Sequence, residues 1–194
     1  MSTSAPQQSV HEFDPNDPFF SVSVIIPFYK GERFIEDTVR SILSQTVKPV
    51  ELIIIDHESP NPLALSAEVA EQVTVIRRPN HSASAFRNFG AAMAKGRWPA
   101  FCDQDDIWVS TKLEKQLSLV SEVPELHFVL TDYVTMSDDV LDARSHLSIA
   151  QNYPQAQPYR AELLAGFGEV RQEIRECERY ARRRKLKRLL GIRQ

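Results

Sequence analysis

Residues 21–45 read SVSVIIPFYKGERFIEDTVRSILSQ, and this stretch decides the fold class. Its opening, residues 22–27 (VSVIIP), is a short β-branched apolar run stopped by proline, the pattern of a strand buried on both faces. From residue 32 to residue 45 the apolar positions change to helical spacing, with Phe34, Ile35, Val39, Ile42 and Leu43 on one face. A strand is followed by an amphipathic helix, and the unit recurs. Residues 50–56 (VELIIID) and 73–77 (VTVIR) predict strands, each followed by a helix, near 63–72 and over 84–95. A strand at 98–103, a helix over 110–123 and a strand at 127–133 complete the series. Five strands separated by helix-length segments predict right-handed crossovers and an α/β domain, its mostly parallel sheet flanked by helices. Ligands of such open sheets sit beyond the carboxyl ends of the strands, so the residues just after each strand carry the functional information.

Outside this block the sequence changes character. Residues 1–20 hold three prolines and few apolar residues, and read as a flexible leader. Residues 152–158 (NYPQAQP) read as a linker, and 169–194 as a basic amphipathic helix with Val170, Ile174, Cys177 and Ala181 on a stripe. The 194 residues, 42% hydrophobic and 25% charged, fit one ordinary globular domain and exclude a large multi-domain machine. Cys102 and Cys177 cannot build a disulfide framework, and no Cys/His spacing suggests zinc, so a reducing compartment fits best. With no apolar run near ~18 residues and a polar N-terminus, a cytoplasmic chain is expected. The net charge of −3 splits into −9 for residues 1–168 and +6 for 169–194.

Each strand end presents a distinct chemistry. After the first comes Pro27-Phe28-Tyr29-Lys30-Gly31-Glu32, with one glycine where a dinucleotide fingerprint needs three and a Walker loop needs Gly-Lys-Ser/Thr. Two readings stand: a proline stop with a half-buried turn tyrosine, or a rigid exit whose aromatic lies against a base or sugar. The second strand ends in Asp56, which can accept from a ligand amide or cap the next helix. The fourth ends in Phe101-Cys102-Asp103-Gln104-Asp105-Asp106-Ile107-Trp108, three acids in four positions. Carboxylates this close repel, and a hard cation, Mg²⁺ or Mn²⁺, shared with substrate phosphates, would neutralise them. The plainer alternative is a solvated turn in which Asp106 or Ser110 caps the following helix. Arg87, on a largely apolar helix face, could balance the acids, grip a phosphate or pair inside the fold.

Four segments carry a resemblance: VSVIIPFYKGERFIEDTVRSILSQT, ELIIID, NHSASAFRNFGAAMAKG and FCDQDDIWVSTKLEKQL. In this order and spacing the chain resembles a family 2 glycosyltransferase of GT-A fold over about residues 21–135. The resemblance implies a nucleoside-diphosphate sugar as donor and transfer, with inversion, to a saccharide or lipid-linked acceptor of the cell-surface polysaccharide kind. It implies that Pro27, Tyr29 and Glu32 line the nucleoside pocket and that Asp56 reads the base. Asp103 and Asp105 match the family's DxD motif, with Asp103 near ribose and metal, Asp105 coordinating the metal directly, and Arg87 beside the pyrophosphate or the acids.

The chain also departs from the family pattern. Asp56-His57-Glu58-Ser59 stands where the family writes Asp-Asp-Gly-Ser, so a stiffer or displaced loop is expected, with His57 an exposed loop residue. A glycine is likewise missing after Asn80. Residues 136–168 read as a shortened acceptor-side remnant and linker with no matching acid pair; Asp132, Asp138, Asp139, Asp142 and Glu162 are available carboxylates, none assignable as general base. Two other functions are compatible: a catalytically silent nucleotide-sugar-binding module and, more remotely, a phosphohydrolase using Asp103. The six cations of residues 182–188, followed by apolar positions to 192, read either as a solvated helix end or as a strip contacting the inner membrane face. The acidic body argues against nucleic acid as a partner.

Overall fold

The computed structural model describes residues 12–145, apart from 62, 80–81, 124–125, 127, 132 and 138–139. Two compact units divide the chain, residues 1–127 and residues 128–194. In the first, β1 (Val22–Phe28), β2 (Glu51–Asp56), β3 (Thr74–Arg77) and β4 (Trp98–Phe101) form one sheet in the order β3-β2-β1-β4. Every pairing in it is parallel. Between the strands lie α1 (Ile35–Leu43), α2 (Ala67–Ala70), α3 (Ala83–Met93) and, after β4, α4 (Lys112–Glu122). The α/β class and the parallel layer flanked by helices are as the sequence leads one to expect.

Strand β1 is the axis. It pairs with β2 over Ser23↔Glu51 to Phe28↔Asp56 and with β4 over Val22↔Trp98 to Ile25↔Phe101. Alternate residues of a strand face opposite sides, so Ile25, Ile53 and Ile55 project to one face and Val24, Ile26, Leu52 and Ile54 to the other. All seven are buried to 2% exposure or less, and each such side chain contributes about 1.5–3 kcal/mol on burial. On the first face α3 packs Phe86 against Ile25, Ile53 and Ile55, with Ile76 and Phe89 alongside. α1 buries the stripe Ile35, Thr38, Val39 and Ile42, which is the helical spacing legible in the sequence.

Two glycines set how closely these layers approach. A Cβ on Gly90 of α3 would stand 2.5 Å from Cγ2 of Ile25, so α3 can lie on β1 only because that position has no side chain. A Cβ on Gly96, before β4, would stand 2.6 Å from the Ser23 backbone nitrogen. The Gly96 N–H donates to Ser23 Oγ at 2.8 Å, and that hydroxyl donates to Glu51 Oε1 at 2.6 Å. The same oxygen accepts from the Lys95 N–H at 2.6 Å. Burial alone would push the Glu51 carboxyl up, but these donors and the Lys95 ammonium hold it below the usual glutamate range.

Three expectations need correction. Pro18–Phe20 form a 3₁₀ turn capped by Asp17, with Phe20 buried to 1% and the Trp98 indole N–H donating to Phe19 O at 2.8 Å. Ordered structure thus begins before Ser21, because the aromatic pair at the end of the proline-rich stretch reaches the sheet. The second helix is one turn, Ala67–Ala70, not 63–72. The strand anticipated at 127–133 is absent from the described part of that stretch. Instead, in the second unit, β5 (Val134–Ser137) and β6 (Val140–Ser145) form an antiparallel hairpin. Phe128, Leu130 and Tyr133 of that stretch are exposed at 58–74%. The linker at 152–158 and the basic helix at 169–194 lie outside the described residues.

Gly90→Ala and Gly96→Ala test the close approaches. Gly90→Ala should cost about 1–2 kcal/mol in urea denaturation, since overpacking outweighs the helix propensity that alanine adds. Gly96→Ala should cost more, because it meets backbone and not a side chain.

Candidate donor site at the carboxyl edge of the sheet

Because all four strands are parallel, the segments after β1, β2, β3 and β4 emerge on one edge, and the sequence-predicted residues gather there. Pro27 is half-buried in β1, paired with Ile55; Tyr29 is exposed just beyond the strand. Glu32 is exposed in the turn leading to α1. Asp56 closes β2 and is buried to 2%. Its Oδ1 accepts from the Ser59 N–H at 3.0 Å, and the Arg77 guanidinium lies 3.8 Å from Oδ2 while donating to Ser59 O at 2.7 Å. Oδ1 of Asp56 thus shapes its own loop, and Oδ2 faces Arg77.

The loop after β2, expected to be stiffer or displaced, has a non-glycine residue in left-handed backbone. Glu58 adopts φ 42°, in the left-handed region that a glycine enters freely and that costs other residues about 1–2 kcal/mol. Lys30, after β1, does the same at φ 51°, and its N–H donates to Ser59 Oγ at 3.3 Å. Strain in both loops meets at one serine. His57, anticipated as an exposed loop residue, is partly buried, its ring 4.8 Å from Tyr29 and 5.1 Å from Phe86. The ring contact follows from Tyr29 and Phe86 approaching from β1 and α3, which no local pattern around His57 announces.

At the end of β4 the acidic turn is pinned as the sequence suggests. Trp108 is 8% exposed and its N–H donates to Ser41 Oγ of α1 at 3.1 Å. Asp106 N–H closes the turn onto Asp103 O at 3.2 Å. Arg87 of α3 donates to Asp103 Oδ1, so the residue that Gly90 carries down onto β1 balances the first acid. The other two acids remain exposed. The Asp106 carboxyl is pushed above the usual aspartate range, first by desolvation, then by the charges of Asp103 and Asp105. Burial also brings the Lys112 ammonium down to about 8, where it lies 4.1 Å from the Trp108 ring centre. The N-cap of α4 is Thr111.

Among the described residues no three His, Cys, Asp or Glu side chains make a ready-built metal centre. One or two exposed carboxylates beside an arginine instead suit a hard cation that takes its remaining ligands from water and phosphate. Gln104, between the acids, is a residue the sequence reading passed over, and so is Arg77.

The family model for glycosyl transferase family 2 matches residues 23–188. The chain belongs to glycosyltransferase family 2. It is 37% identical over 142 residues to the putative teichuronic acid biosynthesis glycosyltransferase TuaG of Bacillus subtilis, covering 70% of this chain and 56% of that protein. It is 34% identical over 123 residues to the Escherichia coli UDP-Glc:alpha-D-GlcNAc-diphosphoundecaprenol beta-1,3-glucosyltransferase WfaP, covering 62% of this chain and 49% of that protein. This family 2 chain therefore spans about half the length of these two relatives. Among solved structures, S. aureus TarS 1–349 in complex with UDP matches 53% of the chain and 32% of its own, at 22% identity and a TM-score of 0.45.

Two outcomes test the site's physics. Glu58→Gly should leave stability unchanged or raise it by up to about 1 kcal/mol in urea, relief of the left-handed strain offsetting the added unfolded-state entropy. Asp106 has a folded-state pKa raised above its unfolded value, so the stability linked to it is present at low pH and lost as pH rises through that raised value. In metal-free buffer Asp106→Asn should therefore be more stable than the parent at neutral pH. The gain should shrink as pH falls toward the ordinary aspartate range, read as the difference between two denaturation series.

Proposed function

We propose that this chain carries the donor site of a metal-dependent glycosyltransferase, which moves a sugar from a nucleoside-diphosphate sugar to a saccharide or lipid-linked acceptor with inversion. The observation that carries the reading is the acidic turn of Asp103, Asp105 and Asp106, tied to Arg87 at the carboxyl edge of a parallel sheet in a family 2 chain. The relative named for UDP-Glc and a diphosphoundecaprenol acceptor supports a lipid-linked acceptor of the cell-surface polysaccharide kind.

The residue roles are those the resemblance implies, and placement at the sheet edge supports them. Tyr29, exposed and flanked by His57, offers a face to a base, with Pro27 and Glu32 bordering the same exit. Asp56 would read the base. Asp103 and Asp105 would hold Mg²⁺ or Mn²⁺, which when bound would offset the charge growing on the leaving diphosphate. Arg87 spends one N–H on Asp103 and has four more donors for a phosphate. Transfer also requires a group to take the acceptor's proton. Asp132, Asp138, Asp139 and Glu162 lie outside the described residues, and only the backbone of Asp142 is described. A silent nucleotide-sugar-binding module, sharing the same donor site, is the second reading. No described helix is long and apolar enough to cross a membrane, and a cytoplasmic enzyme that meets the inner membrane face through residues 182–192 is part of the proposal.

Calorimetry with UDP, GDP, CDP and dTDP, each with and without Mn²⁺, tests the donor site. At least one should bind ten-fold or more tightly with the metal, and Asp105→Ala should remove that gain while sparing metal-free binding. Equal affinities with and without Mn²⁺ for all four would overturn the proposal. Release of sugar from the matching donor separates the enzyme from the silent module.

A further inference from the structure

Gln104 lies in the acidic turn, but its hydrogen bonds run elsewhere. Its side-chain Oε1 accepts from the Tyr29 N–H at 2.8 Å, and its Nε2 donates to Tyr29 O at 3.1 Å. One amide thus satisfies both backbone groups of the residue that opens the β1 exit, much as a neighbouring strand would. From behind, Thr38 of α1, fully buried, donates through Oγ1 to Gln104 O at 2.8 Å. Gly31 makes room for the amide: a Cβ there would stand 2.4 to 2.7 Å from Cδ, Oε1 and Nε2 of Gln104. The only glycine in the β1 exit therefore faces the one neutral residue among the four of the acidic turn.

We infer that Gln104 is a positioning residue that sets the spacing between the Tyr29–Lys30–Gly31 exit and the Asp103–Asp106 turn. It thereby lets one nucleoside diphosphate and its cation engage both at once. The inference rests on the proposed donor reading and adds to it a coupling element within the chain. A bidentate ligand gains from two subsites only when their separation is fixed before it arrives. β1 and β4 fix the bases of the two segments, and their tips are joined by this amide. Tyr29 is otherwise steadied on its ring side by His57 and by the Lys30 ammonium 4.9 Å from its ring centre, contacts that set the ring's tilt but do not tie it to the acids.

Gln104→Met in the full chain keeps the volume and removes both hydrogen bonds. The nucleoside diphosphate that binds best with Mn²⁺ should lose about ten-fold in affinity in that variant. The matching nucleoside monophosphate without metal, and Mn²⁺ alone followed by its electron paramagnetic resonance, should each change less than two-fold. A variant that merely loosened the fold would weaken all three together, and equal losses would overturn the inference. Gly31→Ala, which pushes the amide out of place, should mimic Gln104→Met and add little to it in the double variant; additive losses would count against the clamp. Hydrogen exchange at the Tyr29 amide, read by NMR without nucleotide, should speed up at least ten-fold in Gln104→Met while the β1 amides stay protected. Unchanged exchange overturns the clamp whatever the nucleotides do. If exchange rises as expected and none of the four nucleotides binds the parent chain, it is the donor reading that falls, and the ligand role of Gln104 with it.

Discussion

The constraint on which the rest depends is that β1 is hydrogen-bonded on both edges and buried on both faces. A strand so placed can present ligand-binding groups only at its end, and parallel neighbours must present theirs at the same end. Val24, Ile25 and Ile26 have no exposed surface, and β2 repeats the pattern with Ile54 and Ile55. Sheet burial therefore leaves little freedom about where Tyr29, Asp56 and Asp103 emerge. Their loops are then adjusted by short-range devices: a left-handed Lys30, a left-handed Glu58 and the Gln104 amide.

Those devices share a logic of close approach. Gly90 lets α3 lie against Ile25, which brings Arg87 to Asp103; Gly96 lets the chain before β4 lie against Ser23. At Glu58 a left-handed backbone is held without a glycine, at a cost in strain. The exchange is tolerable because the loop is held at both ends. Ser59 is bonded to Asp56, Arg77 and Lys30, and the His57 N–H donates to Phe28 O at 2.9 Å. Backbone strain of about 1–2 kcal/mol persists only where neighbouring contacts over-determine the conformation.

What could be read in the sequence divides along the same physical line. Apolar runs and helical spacing are local signals, so the strands around Ile25, Ile54 and Val75 and the helices around Val39 and Leu117 were legible, although Val75 itself is 45% exposed. Family resemblance located Tyr29, Asp56, Arg87 and Asp103, and the structure brings their segments to one edge. Contacts between segments 75 residues apart have no period, which is why the Gln104–Tyr29 pairing was invisible. Phe20 escaped for a related reason: two aromatic residues at the end of a proline-rich stretch give no repeat, yet one of them is among the most buried side chains. The strand anticipated at 127–133 shows the converse, a local apolar run whose Phe128 and Leu130 stay exposed.

Magnitudes decide what the acids are not for. An exposed or half-exposed ion pair such as Arg87–Asp103 contributes roughly 0–1 kcal/mol, too little to justify three carboxylates in four residues. One arginine balances one acid, and burial, then the charges of Asp103 and Asp105, raise the Asp106 carboxyl against the opposing Lys112 ammonium, so the third acid is held where ionisation is disfavoured. Replacing an acid with its amide would relieve this at no cost in packing. A fold selected for stability alone would have little use for the third carboxylate, and proteins commonly give up stability where a site must hold charge for a ligand. Under the proposed donor reading, positive charge arriving from outside the chain would relieve that third acid.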